Sequence, residues 1–104
     1  MANNMMNMQQ LMKQAQKMQK QMEATQKDLT KQTFTGKEPS GMIEVIANGG
    51  KKITQIKINP DAVDPEDTDM LEDLLLTAVN DALNKVDAAT EQKLGAFTKG
   101  IPGF

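Results

Sequence analysis

Cysteine, histidine, arginine, tryptophan and tyrosine are all missing from this chain. Without cysteine there is no disulfide, no thiolate nucleophile and no cysteine metal ligand. Without histidine, triads and acid/base schemes built on imidazole are excluded as well. Ser40 is the only serine, so no nucleophile–base pair can be proposed around a seryl hydroxyl. Three phenylalanines are the entire aromatic content. Aromatic rings normally supply much of the buried area of a small protein. Here Leu, Ile, Val, Ala and Met must do so, which suggests an elongated helical object or an oligomer rather than a compact globule. Long apolar runs are missing too: none approaches the roughly 20 residues of a membrane span. The opening stretch has no continuous apolar segment and carries its lysines after its methionines, so it does not read as a secretory signal. A cytosolic protein is the expectation that follows. At 104 residues, a single domain is expected, with a core thin enough that a partner chain could help complete it.

What is present is unevenly placed. Net charge is −2, yet residues 1–37 hold six lysines against Glu23 and Asp28, and residues 38–104 hold six lysines against twelve acids. The first region is therefore basic and the second acidic, a hint of a surface with one preferred partner sign.

Residues 5–31 predict one long helix, because they lack Gly and Pro and are rich in Met, Leu, Gln, Lys and Ala. Met8, Leu11, Ala15, Met18, Met22, Thr25 and Leu29 follow a 3–4 spacing, which makes a narrow a/d seam. With Met8 at position a, Lys13, Lys20 and Lys27 fall at f and Lys17 and Lys31 at c, opposite the seam. Residues 33–59 change period. "GMIEVIA" places Ile43 and Val45 on one face, and "ITQIKIN" places Ile56 and Ile58 on one face with Gln55 and Lys57 on the other. The "NGGKK" between them is a turn signal, with Asn and two Gly available for positive φ. A shorter strand around Phe34 is expected to precede this hairpin. A second helix is expected over 64–94, with Asp64 as N-cap, Pro65 at the first helical position and Gly95 as C-cap. Its apolar stripe runs through Leu71, Leu74, Leu75, Ala78, Val79, Ala82, Leu83 and Val86. Residues 95–104, with three Gly and one Pro, are expected to form a loose tail. The order is α-β-β-β-α, an α+β fold.

Three constellations invite chemistry. The acidic run "DAVDPEDTDMLED" lacks the Gly and Glu of a calcium loop and reads as an acidic helix start. "GGKK" sits in a hairpin, not at a helix start, and no phosphate-loop pattern occurs. No metal, cofactor, small-molecule substrate or enzymatic activity is expected. The lysine row of the first helix is the remaining candidate. Lys13 to Lys20 spans on the order of 10 Å of helix, and such a row could follow a phosphate backbone, although a solvated outer face of a coiled coil would look the same. The methionine seam could serve a groove for a ligand, but packing within a homo-oligomer is its simpler use.

The whole layout resembles the YbaB/EbfC family of bacterial nucleoid-associated proteins. The parts that carry the resemblance are "LMKQAQKMQKQM", the hairpin "GMIEVIANGGKKITQIKINP", the passage "KINPDAVDPEDTDMLEDLLLTAVNDAL" and the Pro-Gly-Phe ending, together nearly the full chain. The resemblance implies a tweezer-like homodimer with helical arms that binds DNA with limited sequence preference, contributes to nucleoid organisation or gene regulation in the cytoplasm, and is not an enzyme. Carried to this chain, the DNA-binding positions are Lys13, Lys17, Lys20, Lys27 and Lys31 on the first helix, and Lys85, Lys93 and Lys99 toward the end. With lysine as the only cation, phosphate contacts with steep salt dependence and little base readout are expected. The alternative is a helical adaptor that holds a protein partner through its Met-rich arm.

Overall fold

A computed structural model describes residues 2–98, with side chains from Asn7 to Gly95. Its elements are α1 (Ala2–Lys31), β1 (Thr33–Lys37), β2 (Ile43–Asn48), β3 (Ile53–Ile58), a 3-10 turn (Pro60–Ala62) and α2 (Thr68–Thr98). The order is the α-β-β-β-α expected. The molecule measures 78 × 24 × 15 Å with a radius of gyration of 21.1 Å. A compact chain of this length would have a radius of about 13 Å, so α1 extends well beyond the body.

The sheet is antiparallel in the order β1-β2-β3. The central strand carries the core: Ile43, Val45 and Ala47 alternate inward and are fully buried. They pair with Ile58, Ile56 and Ile53 across β3, with an irregularity at Ile46/Ala47. That register puts Ile56 and Ile58 of β3 on the same face as Ile43 and Val45, while Ile46, paired with Gln55, points to the other, because side chains alternate with period 2.

The turn after β2 departs from its expected form. Neither Gly49 nor Gly50 has positive φ; Lys51 does, at 62°. Asn48 holds the turn instead, its Oδ1 accepting from the N–H groups of Gly50 (2.9 Å) and Lys52 (3.1 Å). Gly49 is needed for a different reason. A Cβ there would fall on the carbonyl of Leu29, so the glycine lets the hairpin press against the base of α1.

α2 begins at Thr68, not at Asp64. Residues 64–67 form a turn of their own, in which Asp64 accepts the Glu66 N–H (2.9 Å) and its carbonyl accepts the Asp67 N–H (3.0 Å). Asp67 then serves as N-cap, its Oδ1 accepting the N–H of Met70 at 3.2 Å, three residues on as capping requires. The helix also passes through Gly95 to Thr98, so Gly95 does not cap it. The tail from residue 99 onward, including Lys99, lies outside the described residues.

α2 lies over β1 and β2 and scarcely touches β3. Ala78, Ala82 and Val86, spaced by four, form its buried line. The small side chains bring helix and sheet backbones together. At Gly36 in β1 a Cβ would strike the backbone of Ala78 and Ala82, so this contact admits no side chain.

Candidate nucleic-acid interface

The two stripes of α1 have different fates. At 100° per residue, Lys13, Lys17, Lys20, Lys27 and Lys31 fall within an arc of about 80°. All five are exposed, and none of their ammonium groups takes part in an ion pair or hydrogen bond. From Lys13 to Lys31 the row runs roughly 27 Å, comparable to about eight phosphate steps of one DNA strand at 3.4 Å each.

The seam on the opposite side is divided. Leu29 is 1% exposed, and Met22 and Thr25 are half-buried, because the base of α1 packs on α2 and β2. Further out, none of the described residues covers it. Met8, Leu11 and Met12 are each more than 60% exposed, and Met18 is 38% exposed.

The α2 lysines behave differently. Lys85 Nζ donates to the carbonyl of Thr35 (2.8 Å) and pairs with Asp81 (3.1 Å). Asp81 also accepts the backbone N–H of Lys37 at 2.9 Å. That bond, followed by the hydrogen bond and charge of Lys85, lowers the Asp81 pKa below its ordinary 3.8. Lys85 thus ties α2 to β1, a role that its place in the sequence did not reveal. Lys93 is exposed near the far end of α2, on a different element from the α1 row.

Two further features escaped the sequence reading. Glu38 is 3% exposed, inside the loop between β1 and β2. Its Oε2 accepts from Ser40 Oγ and the Ser40 N–H (2.5 and 2.7 Å), and its Oε1 accepts from the Ile43 N–H (3.0 Å). The Ser40 hydroxyl leads in lowering the Glu38 pKa, against the opposing effect of burial, with the N–H groups of Ile43, Ser40 and Met42 adding to it. The signal was the E-P-S-G loop itself, where a carboxylate two residues before a serine can accept from it. The second feature is β3. Its inward-facing Ile56 and Ile58 remain 47% and 42% exposed, and Val63 and Met70, on the segment leading from β3 into α2, are also uncovered.

Among the described residues no group of three or more carboxylates is placed to hold a metal ion, and no helix is long and apolar enough to cross a membrane. The fold and site therefore define a class: a small two-layer α+β body carrying a projecting basic helix, which offers an extended charged surface rather than a pocket.

Residues 5–101 match the model of the YbaB/EbfC DNA-binding family. A nucleoid-associated protein of Lactococcus lactis subsp. cremoris (strain MG1363) is 50% identical over 98 residues, covering 94% of this chain and 99% of its own. A nucleoid-associated protein of Lactobacillus delbrueckii subsp. bulgaricus (strain ATCC BAA-365 / Lb-18) is 49% identical over 96 residues, covering 92% and 88%. In three dimensions the chain is similar to the crystal structure of an uncharacterized protein from Helicobacter pylori, with a TM-score of 0.70 and 25% identity over 86% of this chain and 91% of that one. The chain belongs to the YbaB/EbfC family of nucleoid-associated DNA-binding proteins.

Proposed function

We propose that this protein binds DNA as a homodimer, chiefly through backbone phosphates, alters the conformation of the duplex, and so contributes to nucleoid organisation or gene regulation in the cytoplasm. One observation carries the reading: five exposed lysines on one arc of α1, free of any carboxylate partner. Such a row neutralises phosphates and releases counterions, which gives affinity without sequence information. The absence of arginine removes the usual bidentate contact to guanine, so base readout is weak. Lys93 joins the surface as a free cation, whereas Lys85 reaches phosphate only by leaving Asp81. A second copy covering Ile56, Ile58, Val63 and Met70 supplies the area that the aromatic-poor core lacks, and it closes the edge of β3.

The test is a mobility-shift titration at several salt concentrations beside sedimentation. Binding whose logarithm falls steeply with the logarithm of salt, by a dimer, is expected. A flat salt dependence, or no binding at low salt, sinks the reading. The exposed seam of α1 favours a second reading, a helical adaptor for a protein partner; stoichiometric recovery of that partner after nuclease treatment is its test.

A further inference from the structure

The geometry of α1 points to a second role for its free half: we propose that it pairs, seam to seam, with α1 of another copy, and that the paired arms hold two DNA duplexes on opposite sides. The DNA half of this inference rests on the function proposed above; the pairing half does not.

The outer seam consists of Met8, Leu11, Ala15 and Met18, with Met12 beside it. Its 3–4 spacing is that of a coiled coil, whose partner is most simply an identical helix. The positions that flank such a seam, e and g, are Met12, Gln19 and Gln26 on one side and Gln14, Gln21 and Asp28 on the other. Between residues 8 and 22 they are all uncharged. Two copies can therefore approach with no like charges facing each other, and the lysines stand clear of the contact. A lipid surface suits the helix less well: with its apolar side down, the centre of the lysine row would point away from the headgroups.

The lower seam shows what the upper part lacks. Met22, Thr25 and Leu29 continue the same stripe; Leu29 is buried and Met22 and Thr25 are half-buried where the base of α1 packs on this chain's own α2 and sheet. The exposed part spans about two heptads, well short of the area that holds a stable complex together by itself. Pairing is then weak in free solution and strengthens where copies are concentrated along DNA, since a second contact between tethered partners benefits from effective concentration.

The consequence for DNA is geometric. The lysine arc is centred about 170–180° from the seam. When two seams meet, the two lysine rows face outward on opposite sides of the pair. One duplex can lie along each row, so the paired arms link two duplexes rather than enclose one.

The absence of cysteine makes the pairing directly measurable. Leu11→Cys and Ala15→Cys variants, alone and mixed, are oxidised with and without duplex DNA. Coiled-coil pairing brings Cα atoms into the range of about 4.4–6.8 Å that a disulfide needs. A cross-link in Leu11→Cys alone reports parallel arms, and one only in the mixture reports antiparallel arms. Gln10→Cys, on the lysine side, should not cross-link. The functional arm uses Leu11→Gln/Met18→Gln, which leaves charge unchanged. Capture of a labelled duplex by a bead-bound duplex should fall to background, while affinity for a single short duplex stays at the wild-type level. Absence of every seam cross-link, or capture undiminished in the double variant, overturns the proposal; an arm occupied by a foreign partner would give the first of these. If the wild type binds no duplex at all, the DNA reading and the bridging fail together, and the cross-link alone decides whether the arms pair.

Discussion

The base and the outer half of α1 share one sequence pattern and live in different surroundings. At the base, Leu29 is sealed under the hairpin, where Gly49 lets backbone meet backbone. Ten to twenty residues earlier, Leu11 and Met18 occupy the same side of the helix and face open space. An a/d seam therefore reports that a helix side will be covered, not by what. Where the chain supplies the cover, the seam belongs to the fold. Where it does not, the seam is available for association, and the lysines behind it are held clear of the body. The body shows the converse: its tight α2–sheet contact has little tolerance, and its cations are partly committed, as Lys85 is to Thr35 and Asp81.

Substitutions can sharpen this contrast. The largest loss of stability is expected for Gly36→Val, which forces side-chain atoms into the backbone of α2. About 3 kcal/mol, the upper part of the range for overpacking, should disappear from urea denaturation. An unchanged midpoint would mean that α2 does not approach β1 this closely. Lys13→Glu/Lys17→Glu/Lys20→Glu is expected to abolish DNA binding while stability moves by no more than about 0.5 kcal/mol, as for ordinary surface changes. The milder Gln versions should each lower the salt slope by about 1. A triple variant that unfolds would show that the arm is part of the core after all.

Glu38→Gln is expected to have an intermediate effect, and one that depends on pH. The native carboxyl titrates below its ordinary 4.5, so its ionised form stabilises the fold. That contribution is present above about pH 4.5 and is lost as pH falls through the lowered native value. The stability gap between wild type and Glu38→Gln, followed by urea titration, should therefore be widest near neutrality and close in acid. A gap that persists unchanged in acid would refute the role given to the charge. The smallest effect belongs to Asp87→Asn, which removes a pair with Lys51 at 2.5 Å, where both side chains are more than half exposed. Less than about 1 kcal/mol is expected in a thermal melt.

Much of the architecture was readable in advance because it depends on neighbours in sequence. A run without Gly or Pro sets α1, and alternation sets the faces of β2 and β3. The errors lie where local signals competed. Asp64-Pro65 is a credible helix start, but Asp67 offers another three residues later, and the structure uses it because Asp64 is spent on its own turn. Gly50 was available for the positive φ that Lys51 adopts, a choice made where Asn48 ties the turn from both sides. Of the candidate site, the lysine arc was legible because helix periodicity alone places it. The engagement of Lys85 was not, since its partner Thr35 lies fifty residues away.

By itself, then, the sequence determined the elements, their order and the two opposed stripes of α1. These follow from propensity and period, which act over one or two turns or a few strand positions. Tertiary structure decided which length of the seam is covered, that α2 leaves Ile56 and Ile58 open, that Glu38 is enclosed, and that Lys85 is tied while the lysines of α1 are free. Each of those depends on where distant segments come to rest, and that is settled by which apolar faces are large enough, and backbones bare enough, to close on one another.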